Sequence, residues 1–569
     1  MSDEASKCKH LLVAAFDFGT TFSGYAFSFR NDPTQIQTNI GWNAGSEKLI
    51  SLKTPTCILL NPDEEFVAFG FDAENKYSTL AEDNQHDGWM LFRRFKMLLH
   101  NNEGLKRGAT VEDINGKSMP AMTIFSMSIR FLRDHLVKAL KTQTVGIEEA
   151  DIQYVLTVPA IWNDNAKQFM REAAIEAGLE ADRIKLALEP EVASIWCQNV
   201  TTDLKGELAR SGMQYMVLDL GGGTADISVH EKMQDGSLKE IHKASGGPWG
   251  GTAVDLNYMK WLTDLFGEAT MERFKDEEMA DYFDIQREFE TKKRNILPET
   301  TGLITFRVAA SLKEIHNDIG GKGILTRLSE LGLNNKVTYR GDKLRVDASI
   351  AKKWFADPLQ KTVLHVKGLL TEPKMRNVSI ILLVGGFSEC ELVQDAVRKQ
   401  ITNKKLVVPN EAGLAVLKGA VRFGHFPDIV ASRVIRYTYG IQTNVAFNSA
   451  VHPMKYMSLM SGKERLDGVF CKFVEVYSEL KIGSIVKKSF KPIDPLKTGI
   501  DIFTSPDQSP FLVHDEGCQR IGYLDIEHPE GEMEDKSFEV FFEFGETELF
   551  VKVKITKTGR EFYKTIDCL

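Results

Sequence analysis

Seven cysteines in 569 residues (Cys8, Cys57, Cys197, Cys390, Cys471, Cys518 and Cys568) are odd in number, scattered, and never form a C-x-x-C pair. That spacing excludes a disulfide framework and a zinc ribbon and reads as reduced thiols. Long apolar runs are missing too: Val378 to Val384, a run beside a Gly-Gly pair, is far too short to span a bilayer. Met1 to His10 is polar and charged, with no apolar stretch that could serve as a secretory leader. Asn199-Val200-Thr201 and Asn377-Val378-Ser379 are therefore read as chance glycosylation patterns. Ile566-Asp567-Cys568-Leu569 puts its cysteine too near the end for prenylation. There is no basic excess; the formal net charge is −9, which argues against a nucleic-acid partner. Neither a G-x-x-x-x-G-K-[ST] loop, an H-E-x-x-H pair nor a protein-kinase signature set is present. These absences leave a soluble, cytoplasmic chain with no membrane span, long enough for three or four domains or subdomains.

What is present repeats itself. Asp17-Phe18-Gly19-Thr20-Thr21 follows the apolar run Leu11 to Phe16. Asp219-Leu220-Gly221-Gly222-Gly223-Thr224 follows Tyr215 to Leu218. Alternating residues (Tyr25, Phe27, Phe29; Ile227, Val229) come after each, so both read as β-hairpins with an aspartate at the strand end. Glycines in such turns let backbone N–H groups approach phosphate oxygens, and two aspartates can share a hydrated cation. A duplicated phosphate hairpin predicts a nucleotide held between two lobes.

From Leu11 to His425 strands alternate with helices, the pattern of an α/β protein. Asp151 to Pro159 is a buried strand stopped by proline. Asn163 to Ala177 reads as a helix capped by Asn163 and closed by Gly178. Asp255 to Leu297 is helical and charged. Gly385-Gly386 follows the strand Val378 to Val384, where α/β proteins hold ligands, and Gly246-Gly247-Pro248-Trp249-Gly250-Gly251 is a second permissive loop. After Pro427 the texture changes to short β patterns: Val469 to Tyr477, Ile485 to Phe490, Gly499 to Phe503, Phe538 to Glu543 and Leu549 to Thr556. We therefore expect a nucleotide-binding unit over 11–426, a short linker over 427–433 that docks rather than tethers, and an antiparallel β-sandwich over 434–569.

The two hairpins, Thr157-Val158-Pro159-Ala160 with its following Asn-Asp helix, and Leu383-Val384-Gly385-Gly386 together resemble the nucleotide-binding domain of the heat-shock protein 70 family. That is the two-lobed, duplicated actin/hexokinase/heat-shock ATPase superfold. The resemblance runs over about residues 11 to 425 and is greatest to the divergent 12A/12B-like branch. The β-domain resembles the family's substrate-binding β-sandwich, most visibly in Gly440-Ile441-Gln442-Thr443.

The resemblance implies ATP/ADP and Mg²⁺ as cofactors. It makes Asp17 and Asp219 the groups that hold Mg²⁺ through waters. Gly19, Thr20, Thr21, Gly221, Gly222, Gly223 and Thr224 become phosphate contacts. Lys96 would reach the γ-phosphate and attacking water; Glu189 and Asp226, with Thr224, would complete the catalytic set. Glu290, Lys293 and Arg294 would grip ribose and adenine, with Gly250, Gly251, Gly385, Gly386 and Phe387 around them. Three positions depart from the family pattern: Phe387 stands for a serine, Glu389 for an arginine that stacks on adenine, and Leu297 for a serine that touches the base. The phosphate half is intact and the base half altered.

Only Arg560 to Leu569 remains after the β-domain, too short for the family's helical lid. The acidic tail that recruits tetratricopeptide co-chaperones is absent, so such partners are not expected. The implied function is weak ATP hydrolysis coupled to a β-domain that binds a peptide or protein client. Two other classes stay open: a nucleotide-gated signalling scaffold with negligible turnover, and a small-molecule kinase on the same superfold.

Overall fold

The computed structural model describes residues 10–39, 41–43, 50–102, 104–143, 146–200, 206–492, 497–527, 537–544 and 547–565. Cys8, Cys568, Thr201 of the first glycosylation pattern, all of the polar N-terminal stretch before His10, and the closing 566–569 segment lie outside them. The five cysteines within the described residues are free thiols. Among those residues no helix is long and apolar enough to cross a membrane.

The duplication seen in the hairpins extends to whole sheets. Leu12–Phe18 (β1), Phe22–Phe29 (β2) and Asp32–Thr38 (β3) form an antiparallel meander, and Ile152–Val158 (β4) and Ile184–Leu188 (β5) add in parallel beside β1. The second lobe repeats this order. Gln214–Leu220 (β6), Ala225–Lys232 (β7) and Leu238–Gly247 (β8) form the meander, and Val378–Val384 (β9) and Lys405–Val407 (β10) add in parallel beside β6. β1 and β4 are buried at every position, as expected of strands covered on both faces, which read as continuous apolar runs rather than alternating ones. Each fully buried Leu or Phe along them contributes about 1.5–3 kcal/mol.

Two helices, Glu189–Val200 and Ala415–His425, lie where the sheets meet. Val192, Ala193 and Ile195 of one and Leu417, Ala420 and Val421 of the other share a core with Val13 and Val155 of the first sheet and Val217 and Leu382 of the second. This shared core sets the two β-hairpin turns against each other in one cleft.

The helix after β4 runs Asp164–Glu176, with the Asn163 side chain accepting from the Ala166 N–H; such a cap stabilises by about 1 kcal/mol. The expected helical stretch over Asp255 to Leu297 is three helices, Gly251–Phe266, Glu268–Glu277 and Met279–Lys293. Gly267, at φ 92, makes the first break.

After a 3-10 turn at Pro427–Ile429, Val430–Val434 (β11) joins the second-lobe sheet, parallel to β8 on one side and antiparallel to the edge strand Glu479–Lys481 on the other. The segment expected to act as linker is thus itself a strand. Beyond it stand two antiparallel sheets. One has five strands, ordered Met457–Met460, Lys463–Val474, Thr438–Ala446, Lys497–Ser505, Gln519–Glu527. The other has four: Ser484–Phe490, Phe538–Phe544, Leu549–Ile555, Glu561–Thr565. Ile441, Ile500, Ile502 and Ile526 of the first meet Val540, Phe542, Val551 and Val553 of the second in one core. The strand expected over Val469 to Tyr477 starts earlier and stops at Val474; Tyr477, at φ 69, has left the extended region.

Candidate functional site

Between the lobes lies a cavity of about 680 Å³. Its floor is made by the two hairpin turns pressed against each other. An added Cβ on Gly222 would come within 2.1 Å of the Thr21 hydroxyl, and one on Gly223 within 2.6 Å of Thr20 Oγ1. Only bare glycine backbone in the second turn lets the threonines of the first come so close. Gly385, at φ 85, closes the far side; a Cβ there would strike Asp219 Oδ1 at 2.3 Å.

Of the residues expected to hold nucleotide, Asp17, Gly19, Thr20, Thr21, Lys96, Glu189, Asp219, Gly221, Gly222, Gly223, Thr224, Gly251, Glu290, Lys293, Arg294, Gly385, Gly386 and Phe387 line this one cavity. Gly250 and Asp226 stand behind it. The Gly250 N–H donates to the Gly223 carbonyl at 3.2 Å and so props the glycine turn. Asp226 is 1% exposed and accepts from the Ile161 N–H at 3.1 Å and from the Thr224 hydroxyl. It sits directly across the ladder from Asp219.

Lys96 does not lie on a solvated helix face. It sits in the 3-10 turn Phe95–Leu99, entered through Arg94 in the left-handed region, and is 3% exposed. Its ammonium donates to Glu189 Oε1 at 2.9 Å and stands 5.0 Å over the Trp162 ring. Glu189 opens its helix, with Pro190 just inside the start, where a missing N–H costs nothing.

Charge is crowded here. Burial pushes the Glu189 carboxyl up to about 7, against the pull of Lys96. Burial, then Glu189, Asp226 and Asp17, hold the Asp219 carboxyl well above the usual carboxylate range. Asp226 is raised by burial as well. Four carboxylates meet two ammonium groups, Lys53 and Lys96, a surplus of two negative charges when all ionise. A cation fits that surplus. Among the described residues no three acidic, histidine or cysteine side chains converge closely enough to ligate a metal directly. Mg²⁺ would therefore be held at Asp17 and Asp219 through its waters and through phosphate, a common arrangement for this ion.

At the other end of the cavity Glu290 is ion-paired with Lys293 and with Arg294, the latter at 2.7 Å. Lys293 also holds Asp255 at 2.5 Å, and Arg294 lies 5.4 Å over the Phe22 ring. Phe387 stacks on Phe355 with centroids 6.5 Å apart, and Glu389 accepts from the Gly413 N–H at 2.9 Å. This end of the cavity thus carries one cationic plane, Arg294, and an acid, Glu389.

Two groups of residues escaped sequence reasoning. Lys53 donates to Asp17 Oδ2 at 2.6 Å, and nothing in Leu52-Lys53-Thr54-Pro55 marks it out. The other group joins the β-domain to the cleft walls. Arg433 forks onto Glu191, in the first turn of the Glu189 helix, at 2.9 and 2.6 Å. Arg436 donates to the carbonyls of Ala160 and Trp162 at 3.2 and 3.4 Å. Tyr439 reaches Asp164 at 2.9 Å, Arg171 pairs with Glu548, and the Thr547 hydroxyl donates to the Leu186 carbonyl.

The family model described as "Hsp70 protein" matches residues 92–322. Human "Heat shock 70 kDa protein 12B" is 32% identical over 98% of this chain and 91% of its own length. Mouse "Heat shock 70 kDa protein 12A" is 30% identical over 98% of this chain and 92% of its own length. "Chaperone protein DnaK" of Mycoplasmopsis synoviae is 23% identical over 76% of this chain and 62% of its own length.

Proposed function

Because this chain belongs to the heat-shock protein 70 family, we propose that it is an ATP-binding, weakly ATP-hydrolysing protein in which the nucleotide controls a client-binding β-domain. The observation that carries the reading is the meeting of the two hairpin turns, with Asp17 and Asp219, on one cavity of about 680 Å³.

In this reading the amides of the two turns and the hydroxyls of Thr20, Thr21 and Thr224 bind the phosphates. Mg²⁺, held at Asp17 and Asp219, supplies charge neutralisation when bound. Lys96 brings a second positive charge. Glu189, with a carboxyl near neutrality, orients water and accepts its proton, and Asp226 fixes the Thr224 hydroxyl. Phosphoryl transfer to water asks mainly for this positioning and electrostatic support.

The coupling runs through short, named contacts. Arg433 grips the helix that begins at Glu189, and Arg436 grips the loop whose Ile161 N–H holds Asp226 and whose Trp162 ring lies under Lys96. Any shift of Glu189 or Asp226 on nucleotide binding is felt at β11. The two sheets after β11 are then the β-sandwich of the family, taking an extended peptide or a protein surface as client.

A second reading, the nucleotide-gated scaffold with negligible turnover, is favoured by one contact: Lys96 and Glu189, the pair asked to serve phosphate and water, are bound to each other at 2.9 Å. Calorimetry of the full chain with ATP, ADP and GTP tests the common core of both. We expect ATP and ADP to bind, with GTP within about tenfold, since one cationic plane discriminates poorly between purines. No detectable heat with any of the three would sink both readings. Hydrolysis stimulated by unfolded peptide supports the first and removes the second.

A further inference from the structure

Lys53 belongs to no motif, yet its ammonium stands inside the cleft. Nζ donates to Asp17 Oδ2 at 2.6 Å and to the Gly413 carbonyl at 2.7 Å. The lysine side chain retains 20% of its exposure and the aspartate 8%, and both face the cavity. An ammonium carries three N–H donors. Two are placed on protein oxygens, which leaves the third for an anion in the cleft.

The position is built into the hairpin. Gly24 lies directly across the ladder from Asp17, and an added Cβ there would come within 3.0 Å of Lys53 Cγ. In the second hairpin the matching position, across from Asp219, is Asp226. The repeat is therefore broken at one point. The second lobe has a carboxylate where the first has a bare glycine with a lysine stem laid over it. A divalent ion drawn to Asp17 shares that carboxylate with an ammonium already held by two short contacts.

We propose that Lys53 is a phosphate-binding residue that serves as a resident cation. Held on Asp17, its ammonium supplies the positive charge otherwise asked of a divalent metal, so the chain binds nucleoside di- and triphosphates without one. This rests on the nucleotide-binding reading above, and the test separates the two.

ATP and ADP are titrated calorimetrically into the wild-type chain, K53M and K53R, each in Mg²⁺ and in EDTA. Wild type is expected to bind within about tenfold in the two buffers. K53M should lose about 10- to 100-fold in EDTA, the value of one charge-assisted hydrogen bond, and recover with Mg²⁺. K53R keeps the charge and should keep metal-free binding. The proposal is overturned if wild type loses more than about tenfold in EDTA while binding in Mg²⁺, which leaves the nucleotide reading standing. It is overturned equally if K53M binds in EDTA as tightly as wild type. Binding of neither nucleotide to wild type in either buffer removes the nucleotide reading, and this proposal with it. Circular dichroism and a melting curve check that K53M is folded; if it is not, the wild-type and K53R arms still decide.

Discussion

Replacing Arg433 by Ala should release β11 from the nucleotide-binding lobes. The guanidinium makes two parallel bonds to Glu191, at 2.9 and 2.6 Å, and the partners' side chains keep 13% and 4% of their exposure. Bidentate geometry of this kind is the strong form of an ion pair. Removing one partner leaves the other charge buried alone, which costs about 3–5 kcal/mol, or roughly 10²- to 10⁴-fold in an equilibrium. Its other neighbour, Glu479–Lys481, pairs with it from the β-domain side, and little else ties it to the lobes. It has two register positions on β8, Leu238 against Val430 and Lys239 against Ser432, and the Val434 N–H on Glu240. Each such hydrogen bond contributes only about 1 kcal/mol net. The pair with Glu191 is therefore the largest single contribution to docking. Hydrogen exchange across residues 430–434 reads the docking directly, and the amides there should exchange about 10²-fold faster in R433A than in wild type. The double variant R433M/E191M, which removes both charges, should recover much of the protection, since an apolar pair of similar volume replaces a buried ion pair at small cost. Unchanged exchange in R433A would refute the reasoning, and so would a double variant as unprotected as the single one.

Two further outcomes follow from the buried acids. Glu240 is 7% exposed, and burial pushes its carboxyl from the ordinary 4.5 up to about 7. Below about pH 4.5 it is protonated folded or unfolded; between there and about 7 the unfolded chain ionises first. Stability should fall by about 3 kcal/mol as pH rises through that window and level off above it. E240Q, which keeps an acceptor for the Val434 N–H, should flatten the slope in melting curves run from pH 4.5 to 8; an unaltered slope excludes Glu240 as its source. Asp219→Asn relieves a carboxylate held among three others, so the ligand-free melting temperature should rise while the further rise produced by ATP with Mg²⁺ shrinks. A lower ligand-free melting temperature with the nucleotide response intact would contradict the site assignment.

The meeting of the two turns in the cleft was legible because each turn is local. Asp17 through Thr21 and Asp219 through Thr224 are each one hairpin turn, and a turn's residues are dictated by its own backbone. The helix at Asn163 and the strand Val378–Val384 were legible for the same reason. Lys53 was not, since it reaches Asp17 from 36 residues away and Gly413 from 360, with no periodicity to betray it. β11 was legible as a segment that docks but not as a strand. Its pairing with β8 and the Arg433–Glu191 bond, 242 residues apart, depend on how the sheet edge is presented. Tyr477 was drawn into the preceding strand because its left-handed backbone leaves no mark on an aromatic, β-favouring sequence.

The β-domain rests on the nucleotide-binding part at several separated points: β11 lengthens the second lobe's sheet, Arg433 takes the helix between the lobes, and Tyr439, Thr547 and Glu548 hold the first lobe. Mechanically it is a strut across a hinge. A strut so placed resists rotation of one lobe against the other for as long as its feet stay down. A chain cut after Phe426 would keep every residue that lines the cleft and lose the brace, so its lobes would swing wider and its exchange of ligand would quicken. Rates measured on such a fragment would describe a door without its strut, and the difference from the intact chain would be the work the β-domain does on the cleft.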